Sequence, residues 1–265
     1  MNKQVAFLNK VPINKLIRYG LFIFSCLFFA LATKSYAKNK VTVITEVYPP
    51  YQYLDKNNQL QGCSVDVIKT LFQLTKDELT IQVMPWSRTY ITALNKKNTL
   101  VFTIARIASR EPLFHWIGKL DEQKVYFWAL KSRDFQSINN LQQLKKYNIA
   151  VPKNYFSDIY LTDQGFTSLH RVTIQKQAIA MLYYQRIDLI VVREEVMKSF
   201  VQELGFDFAK VKKVFPLNDL NSEVSLAMNL DSDPYLVEIY RKAYQQLIEQ
   251  GIVKRLMNRC SASLK

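Results

Sequence analysis

Arg106 and Arg110, four residues apart, and Arg193, at the end of an apolar run, carry the most defined chemistry in this sequence. A guanidinium is a planar fork of N–H donors that stays charged near neutrality and meets a carboxylate at two points. Arg110 follows Ser109 and precedes Pro112, so the spacing predicts the first turn of a helix there, where backbone amides would join the fork. The plain alternative for Arg110 is a surface ion pair with Glu111. Arg106 is placed either to share the same anion or to brace the loop. Tyr48 and Trp86 stand at predicted strand ends beside polar residues, where a flat ring can stack on a ligand, although such rings more often fill a core. Thr103, Glu46 and Arg88 complete the candidate set. A solvated charge is the ordinary role of both Glu46 and Arg88.

Other chemistries are poorly served. The chain has 6 glycines and no GxxxxGK[ST] segment. His115 and His170 show no metal-ligand spacing with the cysteines, so neither a metal nor a cofactor is expected. The formal charge of +14 does not imply nucleic acid. Its lysines come as scattered pairs (Lys96–Lys97, Lys145–Lys146, Lys212–Lys213) without a basic stripe, which reads as a solvated face with a bias toward anionic solutes.

These residues need elements that aim them at one place. Val41–Thr45, Leu79–Met84 and Leu100–Ile104 read as short buried strands, and Val65, Ile68, Leu71 and Phe72 recur at helical spacing between the first two. The apolar run Val125–Lys131 is long enough to cross between two lobes. A second alternating unit follows: a helix near Leu141–Lys146, a strand at Asn148–Val151, a helix near Ile179–Gln185 and a strand at Asp188–Val192. A return strand near Val224–Met228 leads into a last helix, capped by Ser232 or Asp233, with Pro234 in its first turn. Alternating strands and helices imply parallel sheets covered by helices, which receive ligands beyond the carboxyl ends of their strands.

Four blocks carry a family likeness: TEVYPPYQYLD (Thr45–Asp55), LQGCSVDVI (Leu60–Ile68), PWSRTYITAL (Pro85–Leu94) and LVFTIARIASREPLFHWIG (Leu100–Gly118). In content and spacing the chain resembles the amino-acid-type extracytoplasmic solute-binding proteins, family 3. The resemblance implies a periplasmic binding protein-like type II fold: two α/β lobes, a ligand cleft and two crossover hinge segments. Lobe 1 would comprise residues 38–126 and 226–265, and lobe 2 residues 127–225. Arg110 would hold the ligand's α-carboxylate and Thr103 would line the same pocket. The chain also departs from the family, since Arg193 stands where amino-acid binders usually carry an aspartate for the ammonium. The loop after Val151, PKNYFSD, lacks the usual glycine-rich turn. Arg106, Arg110 and Arg193 facing one cleft would suit a ligand with more than one negative group.

The function expected is capture of a small carboxylate-bearing solute, an amino acid or related organic acid, by a monomer that serves an ABC permease or a sensor. The alternative is an enzyme on the same scaffold, similar to periplasmic cyclohexadienyl dehydratase, with Glu46 or Glu194 as the acid. Export is expected from residues 1–37. Lys3, Lys10, Lys15 and Arg18 precede the apolar run Leu21–Ala32, which is well short of the ~20 residues of a spanning helix, and Ser35–Tyr36–Ala37 offers a cleavage site. The mature protein would therefore begin at Lys38 in the periplasm. An exported compartment permits a disulfide, but Cys63 is read as a small buried hydrophobe, in preference to a bridge with Cys260.

Overall fold

The computed structural model describes residues 41–135, 138–220 and 222–262. The expected signal peptide lies outside the described residues. In chain order the elements are β1 (Thr42–Thr45), β2 (Tyr53–Leu54), β3 (Leu60–Gln61), α1 (Cys63–Thr75), β4 (Ile81–Val83), α2 (Trp86–Asn95), β5 (Thr99–Ala105), β6 (Phe114–Gln123) and β7 (Val125–Leu130). They continue with β8 (Ile149–Pro152), α3 (Phe156–Asp163), β9 (Leu169–Val172), α4 (Gln175–Tyr183), β10 (Leu189–Arg193), α5 (Glu194–Glu203), β11 (Val211–Pro216), β12 (Ser222–Asn229), α6 (Pro234–Glu249) and α7 (Ile252–Ala262).

Two five-stranded sheets organise the chain, in the orders β4-β1-β5-β12-β6 and β11-β7-β10-β8-β9. Strands β4, β1 and β5 run parallel, as do β10, β8 and β9, while β12, β6, β7 and β11 pair antiparallel. The inner parallel strands β1, β5, β8 and β10 are almost wholly buried because helices cover both faces, while the edge strands β4 and β9 are mixed. Val43, Leu100, Phe102, Ile149 and Leu189 are fully buried.

α1 turns Val65, Val67, Ile68, Leu71 and Phe72 inward and packs on α6 and α7. Its entry needs Gly62 at φ 126°, where an added Cβ would stand 2.2 Å from the Tyr51 carbonyl oxygen. α6 is capped by Asp233, whose side chain accepts from Tyr235 N at 2.9 Å. Ser232, the other candidate cap, instead accepts from Asn98 N at 3.2 Å.

Several expectations are corrected here. Val125–Leu130 is no free crossing segment but β7, an inner strand of the second sheet between β10 and β11. The chain changes sheets at Lys124 and is back in the first sheet by Ser222, so Val125 and Tyr126 belong with the second sheet and Ser222–Ser225 with the first. Leu141–Lys146 forms a 3-10 turn, too short for the expected helix. The last helix is two helices, α6 and α7, broken at Gly251 with φ 68°. Cys63 and Cys260 form a disulfide with Cα atoms 5.8 Å apart, contrary to the reading of Cys63 as a lone hydrophobe. α7 was not foreseen as a separate element, and without it nothing brought Cys260 to the start of α1.

Candidate functional site

Every residue of the site hangs from the carboxyl end of a parallel strand. Glu46 follows β1, Trp86 opens α2 just after β4, Thr103 lies near the end of β5, Tyr155 and Phe156 follow β8, and Arg193 ends β10. With Tyr48, Ala105 and Arg110 they line one cavity, in which about 20 Å³ is open to the centres of water-sized molecules. The first sheet supplies one wall and the second sheet the other, as open α/β sheets place their ligands.

Thr103 reaches the cavity through a defect in its strand. Pairing of β12 with β5 passes from Ser225–Ile104 to Leu226–Phe102, leaving Thr103 bulged out of register. Its φ is +60°, a conformation a β-branched residue rarely takes. The re-aimed hydroxyl donates to Gln52 Oε1 at 2.9 Å. Gln52 is held in turn by paired backbone bonds with Tyr48 across the Pro49–Pro50 turn, whose peptide bond is cis.

Arg110 is 1% exposed, which removes it from the surface role beside Glu111. It lies in the first turn of a helix as expected, but of a short 3-10 helix, Ala108–Leu113. Its Nη1 donates to Ala105 O at 3.1 Å and its Nη2 to Asn154 O at 2.8 Å. The guanidinium lies beside the stacked pair of Tyr90 and Trp86, 4.8 and 5.2 Å from their centroids, a contact that suits a weakly hydrated cation. Burial lowers its pKa to about 10, against the opposing influence of Tyr90 and Glu46, so it remains charged at neutrality.

Arg193 faces it from the other sheet, also 1% exposed, with its guanidinium 5.4 Å from the Phe156 ring. Its Nε and Nη2 make no hydrogen bond. Arg193 ends β10, paired to Val125 of β7, and lines the cavity.

Glu46 is the one acid in the lining. Burial raises its pKa to about 8, with Tyr155, Arg110 and Arg193 pulling the other way, so it is mostly protonated at pH 7. Tyr155 Oη donates to Glu46 Oε2, and burial pushes the Tyr155 phenol far up as well. Tyr48 is held neutral by burial, up to about 12. Trp86 and Tyr48 wall the cavity, each packing edge-on against Tyr155 at 5.7 and 6.3 Å.

The two sheets touch across this cavity through the segment Lys153–Tyr155. Trp86 Nε1 donates to Asn154 O at 2.8 Å, beside Arg110 Nη2 on the same oxygen, and Ser87 Oγ donates to Lys153 O at 3.0 Å. Asn154 adopts φ 63°, and its N–H is held by Asp158 Oδ2 at 2.9 Å. Asn154, Tyr155, Gln52 and Tyr90 were missed by sequence reasoning. An asparagine after an apolar strand was the one usable signal, since Asn tolerates the left-handed turn a glycine would make.

Two candidates stay outside. Arg106 forms a two-point pair with Glu111, Nε to Oε2 at 2.8 Å and Nη2 to Oε1 at 2.6 Å, and reaches Glu223 at 3.4 Å. It therefore braces the loop and does not share a cavity anion. Arg88 is exposed on α2 and does not line the cavity.

No curated protein sequence matches the chain. Among solved structures, a histidine kinase sensor domain with similarity to periplasmic binding proteins superposes with a TM-score of 0.74 at 15% identity, over 84% of this chain and 96% of that one. An ancestral arginine-binding protein bound to arginine gives 0.72 at 17% identity, over 84% and 98%. An amino acid ABC transporter substrate-binding protein from Streptococcus pneumoniae, bound to L-arginine, gives 0.69 at 20%, over 85% and 95%. At these identities the likeness establishes the fold, a periplasmic binding protein-like pair of α/β lobes. The model of the bacterial extracellular solute-binding proteins, family 3, matches residues 41–260. With nearly all the described residues inside that match and the cavity between its two sheets, the chain belongs to this family of solute-binding proteins.

Proposed function

We propose that this protein captures a small carboxylate-bearing solute between its two lobes in the periplasm and hands it to an ABC permease or a sensor. The observation that carries the reading is a pair of guanidinium groups, Arg110 and Arg193, each 1% exposed and brought to one cavity from opposite sheets. Buried guanidinium groups with unmatched donors are costly, and a bound carboxylate is the natural relief. Arg110 is the proposed anchor, Thr103 and Glu46 polar walls, and Tyr48 and Trp86 the stacking faces. Family membership supports binding, and the arginine- and amino-acid-bound neighbours support a solute of that size.

Titration calorimetry tests this with a panel of amino acids and organic acids. Once a ligand is found, Arg110→Ala is expected to cost about 2 to 4 kcal/mol of binding, the scale for truncating one partner of a desolvated charge pair. Arg110→Lys should recover part of it, because a point charge cannot form the paired fork. Binding by Arg110→Ala as tight as by the parent would sink the anchor assignment.

One observation favours a second reading. Glu46 is a protonated acid beside two anion receptors, an arrangement suited to expelling water and carbon dioxide from a bound acid, as in periplasmic cyclohexadienyl dehydratase. NMR of the ligand after prolonged incubation decides between them: recovered unchanged, it is a bound solute; turnover abolished by Glu46→Gln would establish the enzyme.

A further inference from the structure

We infer that the solute is a small dicarboxylate without an α-ammonium, one carboxylate on Arg110 and the other on Arg193, and that Arg193 sets this specificity. The inference rests on the binding reading above and narrows its ligand.

Donor capacity at both arginines is unmet. Arg193 is buried in the lining with Nε and Nη2 unpartnered, and makes no ion pair among the described residues. Asp121 and Glu195 contribute negative charge near this end of the site, Asp121 through a coulombic interaction with Arg193, but neither lines the cavity. A buried guanidinium with two donors pointing at nothing is a rare and costly state that an incoming oxyanion relieves. Arg110 presents a matching case. Its Nη2 is held by the Asn154 backbone carbonyl, a neutral acceptor that a carboxylate outcompetes, and its Nε is unpartnered.

The charge of the lining favours the same ligand. The lining contains two cations and a single acid, Glu46, which is already engaged with the Tyr155 hydroxyl; the remaining walls, Tyr48, Trp86, Thr103, Ala105 and Phe156, are neutral. A zwitterion would bring an ammonium into a space with two guanidinium groups and no ionised carboxylate to receive it. A dianion neutralises both. Specificity of this kind comes as much from repulsion of the wrong ligand as from attraction of the right one. The two receptors reach the cavity from opposite sheets, so a molecule with an anionic group at each end presents one to each.

The experiment is calorimetry on the intact disulfide-bonded protein with matched pairs that differ only by the amino group: succinate against aspartate and glutarate against glutamate, with malonate, alanine, arginine and sulfate alongside. At least one unaminated dicarboxylate is expected to bind at least tenfold tighter than its amino partner and than alanine or arginine. Arg193→Ala should weaken it by roughly 30-fold or more. Arg193→Lys should lose less, and an unchanged melting temperature of that variant shows the fold intact even if Arg193→Ala unfolds. Aspartate or glutamate binding as tightly as its unaminated partner, or alanine or arginine binding more tightly, would overturn the dicarboxylate assignment and leave the solute-binding reading standing. Sulfate binding tighter than every dicarboxylate would overturn it as well. Failure of every carboxylate in the panel to bind would overturn both.

Discussion

Glu46 gives the site a pH dependence of a definite sign. Its carboxyl is raised from 4.5 to about 8, chiefly by burial, so between those values the folded protein keeps a proton that the unfolded chain has released. Stability linked to this group is therefore full below about pH 4.5 and is lost as pH rises toward 8, at up to about 1.4 kcal/mol per unit. Denaturant unfolding of parent and Glu46→Gln across that range should show a decline in the parent that the variant lacks. Parallel curves would mean that Glu46 is ionised in the folded protein. At the same scale, the sequence put Glu46, Tyr48, Trp86, Thr103, Arg110 and Arg193 into one set, and all six line the cavity. Residue type and strand-end position sufficed for these because the strands are short and their ends converge. Arg106 shows what they could not decide. One residue past the end of β5, it turns to Glu111 and Glu223, and only the course of the turn separates it from Arg110.

Among the elements, β1, β5, β8 and β10 were legible because each is a short, largely apolar run, and α1 because its apolar positions recur at helical spacing. β6, β9 and β11 carry exposed or mixed faces and left no such mark, and Leu169–Val172 alternates too weakly to read as a strand. α6 shows how an element positions the site from behind. Its Tyr244 ring lies against Gly118 of β6, and its hydroxyl donates to Lys119 O at 2.5 Å, so helix and sheet approach through the missing side chain. A Cβ at Gly118 would stand 2.1 Å from the ring. Gly118→Ala should therefore cost about 1 to 3 kcal/mol, the scale of overpacking, read as a lower thermal midpoint. Gly118→Ala in a Tyr244→Leu background should cost less, since the opposing ring is gone; an equal loss would place the strain elsewhere.

For the whole molecule, four hydrogen bonds among the described residues link the lobes directly across the cavity, with Asn154 O already taken up by Arg110 and Trp86. Entry requires the lobes to part and the Asn154 carbonyl to leave Arg110, after which closure over the solute restores contacts from both sides. Small-angle scattering should show a smaller radius of gyration when ligand is added. An unchanged radius would leave the clamp without support. The connection between the lobes was legible as two crossings, but their positions were not, because β7 and β12 are strands that begin within a residue or two of the crossing and read as continuous with it.

The Cys63–Cys260 bridge joins α1 to α7, elements near opposite ends of the described chain that belong to the same lobe. Reducing it, or changing both cysteines to serine, should cost about 2 to 4 kcal/mol, measured by denaturant unfolding. It has a topological effect too. The sequence separation of 197 residues encloses the entire second lobe in a covalent ring, so one protease cut within that lobe opens the ring without releasing a fragment. A nicked molecule should run at full mass on a non-reducing gel and split in two only when a thiol is added, its first lobe still fastened on itself.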